Sequence, residues 1–164
     1  MSDGRVAICP GTYDPVTYGH LDIITRAANV FDRVIVGVVN QPTRKQQTVF
    51  SAEERKAFLQ EAVAPAANVE VEVFSVLVVE FAREHGATVI VKGLRAISDF
   101  EYEFEMNQLN RKLAPEIESV YIIASPDFSF LSSTGVKEMA TFGGDVADLV
   151  PTGVAQALAE RLGR

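Results

Sequence analysis

Five short runs rich in valine and isoleucine, each parted from the next by a longer mixed segment, constrain the fold of this chain more than any other feature. They are Val6–Cys9, Val34–Val39, Val69–Phe74, Val89–Val91 and Val120–Ala124. All are brief and mostly apolar, as strands are when helices cover both faces of a sheet. Only Val69–Phe74 alternates, with Val69, Val71 and Val73 set against Glu70 and Glu72, and this predicts a more exposed strand.

The intervening segments carry helical signals. His20–Asn29 places Leu21, Ile24 and Ala28 on one stripe. Ser51-Ala52-Glu53-Glu54 reads as a capping box that opens a helix to Val63. Val76–His85 carries Leu77, Val78, Phe81 and Ala82 ahead of a stop at Gly86. Asp99–Leu113 is ambiguous, because Phe100-Glu101-Tyr102-Glu103-Phe104-Glu105 alternates like a strand. Its length without a turn signal, ending before Pro115, favours helix. Thr134–Thr141 stops at Gly143-Gly144, and Pro151-Thr152 leads into a last helix with Val154, Leu158 and Leu162 on one face.

Parallel strands need crossovers, so strands alternating with helices predict an α/β domain over residues 1–164, with a five-stranded parallel sheet and helices on both faces. Such sheets bind ligands beyond the carboxyl ends of their strands. The residues just past the end of each strand therefore matter most.

Composition narrows the ligand. The 164 residues hold 15 Lys and Arg against 22 Asp and Glu, a net charge of −7. This excludes broad electrostatic binding to nucleic acid or anionic lipid, but not a small basic pocket. One cysteine, Cys9, forms no intrachain disulfide, and two histidines with one cysteine are too few for a recognisable zinc site. No apolar run approaches the roughly 18 residues of a membrane span, and Met1 to Arg5 lack the apolar stretch of a leader. A cytoplasmic protein with no membrane or nucleic-acid partner is expected.

The first strand leads through Pro10-Gly11-Thr12-Tyr13-Asp14-Pro15-Val16-Thr17-Tyr18-Gly19-His20 into a helix. Its glycines let backbone approach a ligand, and free N–H groups at the helix start favour an anion. It is neither a Walker loop nor a dinucleotide fingerprint. Arg44 and Lys45 come after the second strand, and Lys92-Gly93-Leu94-Arg95 after the fourth. The fifth leads into a hydroxyl-rich turn, Ser125 to Thr134, and then another helix. Cations and N–H donors thus gather at one end of the sheet, where a polyphosphate nucleotide fits.

Each residue taken alone has a plainer reading. His20 serves as a helix cap or as a ligand donor, and Arg44 and Lys45 read as a solvated loop. Ser132-Ser133-Thr134 reads as capping, Glu101, Glu103 and Glu105 as a solvated face, Cys9 as a small core residue and His85 as a helix end. Their shared location is what points to a site.

The first loop resembles the Thr/His-x-Gly-His signature of the nucleotidyltransferase superfamily. Lys92-Gly93-Leu94-Arg95 with Asp99-Phe100-Glu101-Tyr102-Glu103, then Asn110, then Ser129 to Thr134, is similar to the bacterial phosphopantetheine adenylyltransferase family, from about Val6 to the last helix. The resemblance implies a Rossmann-like fold. It also implies transfer of the adenylyl group of ATP to 4′-phosphopantetheine, giving dephospho-coenzyme A and pyrophosphate, with Mg2+ carried chiefly on the ATP phosphates. A homohexamer and feedback binding of coenzyme A at the same pocket are implied too.

By position, the resemblance makes His20, Thr12, Arg44 and Lys92 the catalytic set. It assigns Thr12, Tyr13, His20, Gly93, Leu94, Arg95, Glu103 and the stretch Phe128, Ser129, Phe130, Leu131, Ser132, Ser133 and Thr134 to ATP. It assigns Thr12, Arg44, Val78, Lys92 and Asn110 to the acceptor. The chain departs from the family after the second strand, where Arg44 stands in place of a lysine in a loop about two residues longer than usual, so that either Arg44 or Lys45 serves. Thr134 replaces the third serine of the family's run and keeps the hydroxyl. Three rivals remain: another nucleotidyltransferase with a different acceptor, a non-catalytic nucleotide or coenzyme A sensor, and cationic loops that serve only an oligomer interface.

Overall fold

In the computed structural model, which describes residues 4–43 and 47–163, the five apolar runs are strands. They are β1 (Val6–Gly11), β2 (Arg33–Val39), β3 (Val69–Phe74), β4 (Val89–Leu94) and β5 (Glu118–Ile123). All pair in parallel, in the order β3-β2-β1-β4-β5. The helices are α1 (Tyr18–Ala28), α2 (Ala52–Val63), α3 (Val78–Glu84), α4 (Ile97–Leu113), α5 (Ser133–Thr141) and α6 (Thr152–Leu162), and a short 3-10 turn occupies Pro126–Phe128. This is the expected Rossmann-like α/β architecture. None of the described helices is long and apolar enough to cross a membrane.

The period of two along each strand divides the core into two layers. Ala7 and Cys9 of β1 with Val34, Val36 and Val38 of β2 face one way and meet Ile24, Leu59, Val136 and Leu158 of α1, α2, α5 and α6. Ile8, Ile35 and Ile90 face the other way and meet Val79, Phe81 and Ala82 of α3. Gly37 is required in β2, because a Cβ there would lie 2.8 Å from Phe81 and 3.0 Å from Phe74.

The alternating run is an edge strand. The outward carboxylate of Glu70 accepts two bonds from Arg33, at 2.8 and 2.9 Å, and Glu72 lies 3.3 Å from His85. At the opposite edge, α4 has no buried residue, and Ile97, Phe100 and Phe104 are exposed. The ambiguous segment is thus a helix, but not one held by an apolar face. Ser51 and Glu54 form the expected capping box at the start of α2.

Several element ends shift by one or two residues, as in β5, which starts at Glu118 rather than Val120, and two strands run on further than the sequence expectation. β1 runs on past Cys9 to Gly11, and β4 runs on past Val91 to Leu94. Each has a neighbour that carries it further: β2 pairs with β1 as far as Gly11 opposite Val38, and β5 pairs with β4 as far as Leu94 opposite Ile123.

Candidate active site

Between β1 and β4 the pairing stops early. Only Ala7 with Val89 and Ile8 with Ile90 are partnered, although both strands continue. Beyond Ile8 and Ile90 the two strands part, and a cleft of about 530 Å³ opens between them. This is the point where strand order reverses, the place where open α/β sheets bind ligands. Pro10 and Gly11 of β1 form one wall, and Lys92 and Gly93 of β4 the other. The first turns of α1, α4 and α5 close the ends.

The start of α1 is built around His20. Thr17 is the N-cap, and its hydroxyl accepts from the His20 backbone N–H at 3.3 Å. The Nδ1 of His20 in turn accepts from the Thr17 backbone N–H at 3.0 Å. A ring nitrogen that accepts carries no proton, so the proton of neutral His20 sits on Nε2 and that atom is a donor. His20 is therefore a cap through one nitrogen and a donor through the other. The ring also meets Tyr13 edge-on, with centroids 5.0 Å apart. Gly93 lets α1 come this close, since a Cβ there would lie 2.9 Å from Ile23 Cγ1.

Lys92 of β4 and Arg95, just past its end, are engaged by carboxylates of α4. Lys92 Nζ lies 3.2 Å from Glu103 Oε1. Arg95 bonds both oxygens of Asp99 and donates to the Leu131 carbonyl at 2.9 Å. Burial opposes ionisation of Asp99, but the bonds from Arg95 prevail and hold its carboxyl below the usual range. At the start of α5, Ser132 is the N-cap and accepts from the Gly135 N–H at 3.0 Å. Ser133 donates to the Pro15 carbonyl at 2.7 Å, which ties the hydroxyl run to the first loop.

Of the residues singled out from the sequence, Tyr13, His20, Lys92, Gly93, Arg95 and Glu103 line this cleft. So do Phe128, Leu131, Ser132, Ser133 and Thr134. Lys92 and Gly93 do so as strand residues rather than as a loop after the strand. Thr12, Leu94, Ser129, Phe130, Val78 and Asn110 are not in the lining. Thr12 sits between two residues that are, Val78 packs against the α3 side of the core, and Phe130 is 72% exposed. Arg44 and Lys45 lie outside the described residues. Cys9 is buried and its thiol is pushed up to about 12 by that burial, with the Lys92 charge pulling the other way. It is no nucleophile at neutral pH.

Thr17, Asp99 and Tyr102, quoted in the sequence motifs but given no role there, also line the cleft. Arg95 and Asp99 stand four apart at a helix start, a spacing that makes an ion pair legible. Thr17 stands three before His20, the spacing of a capping box, with imidazole in place of the usual carboxylate.

The chemistry available is that of donors and cations. No group of three or more His, Cys, Asp or Glu among the described residues is placed to hold a metal ion.

Residues 8–139 match the cytidylyltransferase-like family. A phosphopantetheine adenylyltransferase of Alkaliphilus metalliredigens is 48% identical over 96% of this chain and 99% of its own length. One from Rubrobacter xylanophilus is 53% identical over 94% and 93%. A solved structure, a putative nicotinate-nucleotide adenylyltransferase from Vibrio parahaemolyticus, superposes with a TM-score of 0.71 over 95% of this chain and 92% of that one, at 15% identity. That likeness is one of fold.

Proposed function

The chain belongs to the phosphopantetheine adenylyltransferases of the cytidylyltransferase-like family, and from that premise we infer that the cleft between β1 and β4 joins the adenylyl group of ATP to 4′-phosphopantetheine, giving dephospho-coenzyme A and pyrophosphate. The observation that carries this reading is the convergence of His20, Lys92 and Arg95 on one cleft in an otherwise acidic protein.

The acceptor phosphate is already ionised at neutral pH. One of its oxygens attacks the α-phosphorus of ATP, a new P–O bond forms, the bond to the bridging oxygen breaks, and pyrophosphate leaves with that electron pair. No general base is needed, so catalysis rests on positioning and on stabilising charge at the five-coordinate phosphorus. In this reading His20 donates from Nε2 to the α-phosphate. Lys92 and Thr12, with Arg44, Val78 and Asn110, hold the acceptor. Arg95 and the N–H groups at the start of α5 take the remaining phosphates. Tyr13, Gly93, Leu94, Glu103 and the stretch Phe128–Thr134 enclose the nucleotide. Mg2+, carried by the triphosphate, supplies charge neutralisation when bound.

A cytoplasmic homohexamer of one-domain subunits, with coenzyme A competing at the same cleft, belongs to this reading. Support for assembly comes from α4, which buries no residue and exposes Ile97, Phe100 and Phe104 beside the edge strand β5.

The test is turnover. Purified chain with ATP, Mg2+ and 4′-phosphopantetheine should release pyrophosphate and form dephospho-coenzyme A. His20→Ala should lower kcat by about 10²–10³, the scale of losing one transition-state donor, with little change in ATP affinity. Pyrophosphate released only with a mononucleotide acceptor would overturn the acceptor assignment. ATP binding without turnover would make the chain a sensor.

A further inference from the structure

Arg55 is 1% exposed, yet it sits in the run Glu53-Glu54-Arg55-Lys56 on the first turns of α2. Its guanidinium donates to four backbone carbonyls: Thr12 at 2.7 Å, Val39 at 2.8 Å, and Asn40 and Phe50 at 3.1 Å each. These carbonyls belong to the segment after β1, the end of β2 and the turn before α2. Burial lowers the pKa of the guanidinium, and the nearby Asp14 carboxylate opposes that. A buried cation spread over carbonyls of separate segments is costly to solvate, and its use calls for a reason beyond packing.

The reason lies one residue past Thr12. Tyr13 has φ of +52°, left-handed backbone that a tyrosine rarely adopts. Such strain persists only where the surroundings over-determine it. Here it is clamped from both sides by buried charges of opposite sign. The preceding carbonyl, that of Thr12, is held by Arg55. The next residue, Asp14, is wholly buried and accepts from the N–H groups of Val49 and Phe50 and from Lys137 Nζ, at 2.9 to 3.0 Å. The Phe50 backbone is gripped at both ends, its N–H by Asp14 and its carbonyl by Arg55.

The turn delivers the Tyr13 ring to one place. Its hydroxyl donates to the Cys9 carbonyl at 2.9 Å, and the ring lies so close on Gly11 that a Cβ there would come within 2.9 Å of it. The ring also meets the His20 imidazole edge-on. We propose that Arg55 is a positioning residue for His20. It acts through the Thr12 carbonyl and the strained Tyr13 turn, whose ring fixes the imidazole that the Thr17 box orients. The role in turnover rests on the function proposed above, whereas the structural coupling does not.

The experiment uses the full chain. In Arg55→Lys the charge remains, but one ammonium cannot span the four carbonyls that the fork reaches. Side-chain 15N spectra of the two histidines read the coupling directly, with His85, on the opposite layer beside Glu72, as the internal reference. The His20 signals should move while those of His85 hold. In turnover, kcat should fall by about 10- to 100-fold, the scale of a misplaced catalytic group, with KM for ATP within about threefold of wild type.

Should Arg55→Lys fail to fold, Tyr13→Leu tests the link from the ring to His20 on which the proposal depends. It keeps Arg55 and its carbonyls and deletes the ring, and it should shift the same His20 signals and lower kcat in the same way. Folded variants of either kind with unchanged His20 signals, or with wild-type kcat, would overturn the proposal. A wild-type chain that transfers no adenylyl group would instead overturn the function, and the spectra would still decide the coupling.

Discussion

The ammonium of Lys92 on β4 lies 3.2 Å from the carboxylate of Glu103 on α4, so two cleft residues of opposite charge face each other across the site. One helical turn earlier, Asp99 does the same for Arg95 at 3.1 Å. The side of α4 that faces the cleft thus carries a pair of carboxylates matched to the cations that a phosphate would use. A phosphate that reaches Lys92 would compete with Glu103 for the ammonium.

Glu103→Gln therefore separates two affinities. Losing the competing carboxylate should tighten binding of 4′-phosphopantetheine by about three- to tenfold, corresponding to roughly 1 kcal/mol for a partly exposed ion pair. Losing an acceptor for the nucleotide should weaken ATP by a similar factor. Calorimetric titration of each ligand measures both. A change of the same sign for both ligands would show that the pair is not exchanged.

Thr17 supports His20 through its hydroxyl as well as its backbone. Thr17→Ala should cost about 1 kcal/mol as a lost N-cap. For a chain of 164 residues that lowers Tm by roughly 2–4 °C. It should also lower kcat, because the N-cap that seats the imidazole is weakened, and Thr17→Ser should restore both. Calorimetry with steady-state kinetics tests this. A Tm loss with unchanged kcat would leave Thr17 as a cap alone.

The strands are legible in the sequence because strands covered on both faces read as unbroken β-branched runs, and Ile8, Val34 and Ile35 have no choice but the interior. The end of β4 is not legible, because Lys92 and Gly93 interrupt the apolar pattern where the strand becomes a cleft wall paired on one side only. In α4 the polar residues Asp99 and Glu103 face inward while Phe100 and Phe104 face out, so hydrophobic alternation points to a strand and only length points to the helix. The cleft's cations are legible because position after an apolar run predicts the ligand end, even though Lys92 is still in the strand. Arg55 is hidden in a charge run that composition assigns to solvent, and only tertiary closure brings four carbonyls around it.

Gly93 holds α1 against β4. With Ile23 Cγ1 2.9 Å from the site of an added Cβ, Gly93→Ala should force the helix outward. Overpacking of this kind costs about 1–3 kcal/mol. Because α1 carries His20, kcat should fall along with stability. Trimming the opposing side chain in Gly93→Ala/Ile23→Ala should make the double variant more stable than the sum of the single losses, as coupled neighbours behave. Urea denaturation of the four proteins gives the cycle. Strict additivity would show that the contact is relieved by movement elsewhere.

Acid stability should report the bond between α6 and the start of α2. Arg161 donates to both oxygens of Glu54, at 2.7 and 3.0 Å. Those bonds, with the Ser51 N–H, hold the Glu54 carboxyl at about 2 against an ordinary 4.5. A carboxyl depressed in the folded chain stabilises fully above its unfolded pKa, and that stabilisation is lost as pH falls through the folded value. The window is therefore pH 4.5 down to about 2. Both side chains are more than a third exposed, so the effect is small and screened by salt. Urea midpoints of wild type and Arg161→Gln should differ most at neutral pH and converge toward pH 2. Because Arg161 also donates to the Val49 carbonyl at 2.9 Å, a residual difference should persist at the acid end. A gap that stays constant across the window would mean that Glu54 contributes through its capping bond to Ser51 and not through Arg161.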